Sequence, residues 1–407
     1  MTTTTDPGAG RRLPPFALTP EQIADPYPIY RVYREADPVH LRSRDGADTW
    51  YIFGYEDVSA ILTDRRFGRR APDGRQPTVP IPPQYAVLHD VVTNWLVFLD
   101  PPEHTAVRSL VAGHFTASLV NAMRPRIQEL AGGLLAELEG CPVIDLVADF
   151  AAPLPILVIA ELLGVPGSQH TWLRERAVAL EEANSSRDGS ALPRAERAAA
   201  ELSAYFLAEF QRRRRGSHAD DLVGQLMAAD LTDTQLVSTC IHLLTAGHET
   251  TTNLLAKSVL ALTGHPSIHA ELCRTPQRLP RAVDELLRYD PPVQTVRRRA
   301  WEDVTIGGQR IEAGSTVVLV LGSANRDPAR FPEPDRLDID REPARNVGFG
   351  LGIHYCLGAH LARAEAEIGL GALLHRLPRL SLAERPVPYA DDLVFHGPSR
   401  LLVHSGH

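Results

Sequence analysis

The sequence predicts a mainly α-helical fold carrying small β-sheets near its N- and C-terminal parts. Three observations lead there. Across residues 103–288 the apolar side chains recur at helical spacing. Inside that region, 232–262 is the longest uninterrupted helical stretch. Strand signals are short and sit outside it, at 49–53, 304–311, 316–321 and 393–404.

In chain order, residues 1–25 are rich in Thr, Pro and Gly and are expected as a loose arm, with 26–407 forming a single catalytic domain. Thr49-Trp50-Tyr51-Ile52-Phe53 before Gly54 is a strand ending in a turn. The stretch 69–83 holds five prolines, which excludes a regular helix or central strand, so a long loop is expected. Pro101-Pro102-Glu103 opens a helix with a carboxylate at its positive end. Residues 152–165 are strongly apolar and stop at Gly164-Val165-Pro166, the pattern of a buried helix. Residues 194–215 form an amphipathic helix whose stripe is Leu202, Tyr205, Phe206 and Phe210. Thr232 or Asp233 caps the long helix, and Gly264-His265-Pro266 ends it. At ~1.5 Å per residue it runs about 45 Å. Gly307-Gly308 divides the run at 304–311.

The 407 residues carry 50 acidic and 42 basic side chains, a formal net charge of −8. With 44% hydrophobic and 23% charged residues the chain is globular, and its acidic balance argues against nucleic-acid binding. Lys257 is the only lysine among the basic residues, a signature of GC-rich coding rather than of chemistry. Cys141, Cys240, Cys273 and Cys356 are far apart and contain no CxxC pair, which rules out a zinc ribbon or a dense disulfide framework. No signal peptide precedes the arm, and nowhere do about 18 apolar residues run together, so no membrane anchor is expected. A cytoplasmic protein in a reducing compartment is the default.

The sharpest motif is Phe349-Gly350-Leu351-Gly352-Ile353-His354-Tyr355-Cys356-Leu357-Gly358. A glycine-rich loop here delivers one cysteine to the start of a helical pattern at 359–374. Helix-terminal amides at such a place lower a thiol's pKa, and glycines let the backbone curl around the sulfur. Earlier in the chain, Ala246-Gly247-His248-Glu249-Thr250-Thr251 lies mid-helix. Its small residues leave room for a flat cofactor or a diatomic molecule, and the adjacent acid and alcohol can pass protons.

These two segments resemble those of the cytochrome P450 family. Its Phe-x-x-Gly-x-x-x-Cys-x-Gly signature is matched at Phe349, Gly352, Cys356 and Gly358. The resemblance extends from Pro26 onward and implies the cytochrome P450 fold, with Cys356 as the axial ligand to haem iron. Phe349, Gly350, Ala246 and Gly247 would also border the haem b. By the same resemblance Thr250 orients the proton supply for oxygen activation and Glu249 gates it. His248 competes as a haem ligand or proton donor, but it points about 100° away from its neighbours and is read as structural. Four cations would meet the haem propionates: His104 and Arg108, one turn apart, then Arg298 and His354, with Arg297 or Arg299 replacing Arg298 if the register slips. Glu285 and Arg288 resemble the family's Glu-x-x-Arg pair, and Arg336 would complete that buried charge network. The same spacing at Glu209, Glu271, Glu333 and Glu342 is read as surface pairs or chance.

The activity implied is insertion of one oxygen atom of O2 into a lipophilic small molecule, by hydroxylation or epoxidation, in secondary metabolism. The chain has no room for a flavin or nicotinamide domain, so a ferredoxin and ferredoxin reductase are the expected electron donors. The ferredoxin would dock near Cys356, with Arg108 and Arg363 contributing. By register, the substrate would touch Trp95, Leu96, Val97, Leu243, Val293, Gln294, Val394 and Phe395, besides Ala246 and Gly247. Two other readings are weighed. A peroxide-dependent haem-thiolate enzyme would often replace the acid–alcohol pair, which is intact here. A haem gas sensor or carrier would normally bring an output domain, and none is visible.

Overall fold

The computed structural model describes residues 13–44, 47–71, 81–185, 189–216 and 221–406. Its N-terminal part runs α1 (Pro20–Ile23), α2 (Tyr27–Ala36), β1 (Val39–Arg44), β2 (Ala47–Ile52), α3 (Tyr55–Thr63) and β3 (Phe67–Gly68). Helices then dominate: α4 (Ala86–Thr93), α5 (Glu103–Ala112), α6 (Ala117–Glu137), the short strand β4 (Val143–Asp145), α7 (Pro153–Leu162) and α8 (His170–Ser185). They continue as α9 (Leu192–Arg215), α10 (Leu222–Met227), α11 (Asp233–Gly264), α12 (Pro266–Arg274) and α13 (Leu279–Tyr289). Strands β5 (Thr295–Ala300), β6 (Val304–Ile306), β7 (Gln309–Ile311) and β8 (Thr316–Val320) follow. The chain ends through α14 (Leu321–Ala324), α15 (Ala359–Arg376), β9 (Ser381–Leu382) and β10 (Leu402–His404).

The axis of the molecule is α11. Thr232 is its cap: the hydroxyl accepts the Gln235 amide at 3.2 Å while the Gln235 side chain accepts the Thr232 amide at 3.0 Å. Pro266 ends it by opening α12. Residues are buried along most of its length, which suits a helix packed by α7, α8, α9, α13 and α15 on its several sides. Gly369 on α15 shows how tight that packing is, since a Cβ there would lie 2.9 Å from Leu255 Cδ2. Leu154, Leu254, Leu255 and Leu370 share the main hydrophobic cluster. Each such leucine contributes ~1.5–3 kcal/mol by leaving water.

Of the expected strands, those at 49–53 and 316–321 join one sheet, in the order β1-β2-β8-β5-β3, while β4, β10 and β9 form a second and β6 and β7 a third. Strand β2 pairs in parallel with β8, matching Trp50 to Val317 and Ile52 to Leu319, and β5 pairs antiparallel with β8. These four side chains belong to a second cluster, so burial of one face sets the register. The run at 304–311 is the hairpin β6–β7 turning at Gly307 and Gly308, both with positive φ. The run at 393–404 narrows to β10, because Pro398 lacks a donor and Gly397 packs its backbone onto Asn253. Within the stretch expected as an arm, Phe16 is buried against Tyr33 and Phe53, with ring centroids at 5.1 and 5.2 Å. Of the proline-rich loop, 72–80 lie outside the described residues.

Candidate active site

The cysteine loop is built by its glycines. Gly350 and Gly352 adopt positive φ, and a Cβ on Gly352 would lie 2.5 Å from the Leu62 carbonyl oxygen. The curl lets the Cys356 amide donate to the Phe349 carbonyl at 2.9 Å, and Gly358 then caps α15. The Arg363 guanidinium covers the Phe349 ring at 4.6 Å. The sequence reading expected the helix-terminal amides to depress the thiol's pKa. Instead burial pushes the Cys356 thiol up, outweighing the Gly358 amide and the charges of Arg108 and Arg363. A bound metal ion, rather than the loop alone, is what would deprotonate it.

Cys356, Leu357, Gly358 and Leu361 line one side of a cavity whose other side is Ala246, Gly247, Thr250 and Thr251 of α11. At Gly247 an added Cβ would find Ile159 no closer than 3.8 Å. The small residues therefore leave a gap facing the sulfur loop. Thr250 bonds back to the Ala246 carbonyl at 3.0 Å. Glu249 Oε2 is shut off from solvent without a partner among the described residues, and burial, then the Glu181 and Asp392 charges, push its carboxyl up to about 9. It is a proton holder at neutral pH.

The rim of this site carries an excess of positive groups. The rings of His104 and His354 lie 4.3 Å apart, and His104 Nε2 is buried without a partner among the described residues. Arg298 is buried and donates to the Arg297 carbonyl at 2.9 Å. Burial, then neighbouring Arg69, lowers Arg298 to about 9 against the opposing Asp100 charge. His354 is held strongly neutral by burial and by Arg298, Arg69, His104 and Arg108. The nearby acid, Asp100, accepts the amides of Arg69 and Arg70. Such a cluster fits an anionic group lying across it, and a haem with two propionates supplies one. Arg299 instead donates to the Gly314 carbonyl, so Arg298 occupies the expected register. Arg69 was missed in the sequence; only its place at the start of the proline-rich loop could have pointed to it.

The charge network around Glu285 needs a correction. Glu285 and Arg288 form a buried bidentate pair at 2.7 and 2.8 Å. The third member is Arg341, whose Nε lies 3.1 Å from Glu285 Oε1. The Arg336 side chain is turned to Glu333 and Asp338 at the surface, and only its carbonyl takes part, accepting from Arg288 and Arg341. A turn at 338–341 brings Arg341 inward, which sequence spacing does not reveal.

Of the expected substrate contacts, Leu96, Val97, Leu243, Ala246 and Gly247 do line the cavity. Gln294 does not: its amide is committed to Tyr27 and the Pro291 carbonyl. Val293 packs against the sheet cluster, and Trp95 sits behind the wall, stacked on His242. Val394 and Phe395 are absent from the lining, their amides turned to Asp392. Phe115, Ile159 and His242 line it and were not anticipated. Arg108, expected at a docking surface, points inward to the Tyr355 carbonyl at 2.7 Å.

A cysteine loop facing a small-residue gap in a long helix, rimmed by cations, defines a haem-thiolate protein, and this chain belongs to the cytochrome P450 family. The cytochrome P450 family model matches residues 277–396. The biotin biosynthesis cytochrome P450 of Bacillus subtilis is 38% identical, over 89% of this chain and 92% of its own. The mycinamicin IV hydroxylase/epoxidase of Micromonospora griseorubida is 39% identical, over 92% and 94%. Among solved structures, the cytochrome P450 PksS of the Bacillus subtilis bacillaene polyketide synthase superposes with a TM-score of 0.87 at 33% identity, covering 96% of this chain and all of that one. A P450 solved with acyl carrier protein carrying hexadec-9Z-enoic acid gives 0.88 at 37% identity, covering 94% and 99%. The cofactor is haem b, and the activity is that of a monooxygenase acting on lipophilic small molecules. Among the described residues no helix is long and apolar enough to cross a membrane.

Proposed function

We propose that this enzyme oxidises a lipophilic secondary metabolite in the cytoplasm, with electrons from a ferredoxin and its reductase. The observation that supports it best is the shared cavity of Cys356 and Thr250, rimmed by His104, Arg108, Arg298 and His354. In this reading Cys356 ligates the iron, and haem with a thiolate ligand supplies oxygen activation. The four rim groups, with Arg69, would hold the two propionates. Phe349 and Gly350 shape the loop under the sulfur. Ala246 and Gly247 leave space above it. Glu249 stores a proton, and Thr250 hands it on through its hydroxyl while the Ala246 carbonyl fixes its rotamer. Apolar Leu96, Val97, Phe115, Ile159 and Leu243 exclude water and hold a lipophilic body. The ferredoxin docks on the face of α15 nearest Cys356, where Arg363 meets Asp284.

The test is spectral and chemical. Protein grown with a porphyrin precursor should be coloured, and its reduced carbon-monoxide adduct should show the strongly red-displaced Soret band, which Cys356→Ser should abolish. Colourless protein, or an adduct without that band, sinks the proposal. Compounds that shift the ferric spin state, turned over with a ferredoxin and reductase, would then define the substrate.

A further inference from the structure

The part of the cavity wall formed by Leu96, Val97, Phe115, Ile159 and Leu243 is apolar, and His242 interrupts it. His242 on α11 lines it beside Leu243 and Ala246, is 8% exposed, and its Nδ1 has no hydrogen-bond partner among the described residues. The ring is not loose. It stacks on Trp95 with centroids 5.4 Å apart and planes at 23°. Trp95 is buried in turn, so the imidazole is held from behind. Burial pushes His242 down to about 4, which leaves it neutral at physiological pH with one N–H donor and one acceptor nitrogen. A fixed, neutral imidazole beside apolar side chains, with Nδ1 lacking a partner among the described residues, is what a site shows when the missing partner belongs to the ligand.

We propose that His242 is the polar anchor of the substrate pocket, hydrogen-bonding a neutral hydroxyl or carbonyl oxygen of an otherwise lipophilic substrate. The inference rests on the monooxygenase reading above and narrows its substrate class. His242 precedes Ala246 by one turn and Thr250 by two, a rise of ~12 Å along the helix to the proton-handling threonine. The anchored oxygen therefore lies far along the molecule from the end nearest Thr250. Plain hydrocarbons lack the partner. A carboxylate is disfavoured because the neutral ring offers it no charge. A site built to bond an oxygen discriminates strongly against the analogue lacking it.

The test uses the haem-loaded full chain and three probes of equal length, 1-dodecanol, dodecanoic acid and dodecane, with affinities read by equilibrium dialysis. Wild type should hold the alcohol at least tenfold more tightly than either of the others. His242→Phe, which keeps the stack on Trp95 and deletes both nitrogens, should bring the alcohol-to-alkane ratio within threefold of unity. His242→Asn should restore a preference for the alcohol. Thermal stability of His242→Phe should match or exceed wild type, because a purely structural imidazole would instead lose stability. Should that variant fail to take up haem, His242→Leu makes the same comparison. A ratio below threefold in wild type, a ratio unchanged by substitution, or tighter binding of the acid overturns the assignment. If wild type shows the red-displaced carbon-monoxide band and the ratios fail, only the anchor falls. If the band itself is missing, the haem-thiolate reading falls first.

Discussion

His248 on α11 places Nδ1 2.9 Å from Glu181 Oε2 on α8, joining two buried side chains 67 residues apart. The pair ties α8 to the central helix next to the proton-handling segment. The contact gives His248 a structural partner. In a double-mutant cycle of Glu181→Ala and His248→Ala, urea unfolding of the holoprotein should yield a coupling energy of ~1–3 kcal/mol. Additive single effects would mean the contact carries no energy of its own.

Glu249 makes stability depend on pH. Its folded pKa of about 9 lies above the ordinary 4.5, so between those values the native state holds a proton the unfolded chain has released. Its contribution is therefore most favourable at low pH and is lost as pH rises through that window. Glu249→Gln should match wild type near pH 4 and exceed it by ~1–3 kcal/mol at pH 9. Equal pH slopes for the two proteins would contradict the buried, protonated carboxyl.

Thr250→Ala should leave haem content and the carbon-monoxide band intact while reducing the share of electrons that ends in product. A several-fold rise in peroxide formed per product, measured with any substrate that turns over, is the expected readout. Unchanged coupling would remove Thr250 from proton delivery.

Arg341 and Arg336 make opposite predictions. Arg341→Ala strips a cation from buried Glu285 and should cost ~3–5 kcal/mol or prevent haem uptake. Arg336→Ala removes surface pairs and should stay within ~0.5 kcal/mol. Denaturant midpoints of the two variants decide between the arginines.

Arg69 should matter for cofactor retention. Half-buried Arg69 lowers the pKa of the Arg298 guanidinium through its charge and donates to the Arg297 carbonyl at 2.7 Å. Arg69→Ala should release haem to apomyoglobin at least several-fold faster than wild type, whereas exposed Arg297→Ala should not. Equal rates would place Arg69 outside the propionate cluster.

What was legible in the sequence was whatever depends on residues close together in the chain. The cap and length of α11, the buried α7, the β6–β7 turn and the cysteine loop all follow from periodicity, capping chemistry and glycine's tolerance of positive φ. Whatever depends on distant segments meeting was decided by tertiary structure. It joined β2 to β8 in one sheet, chose Arg341 over Arg336 for Glu285, added Arg69 to the cation cluster, turned Gln294 out of the cavity and stacked His242 on Trp95. The reason is physical. A local pattern sets which face a residue presents, but the partner on that face is set by packing across the core, where one shift of register exchanges one arginine or histidine for another.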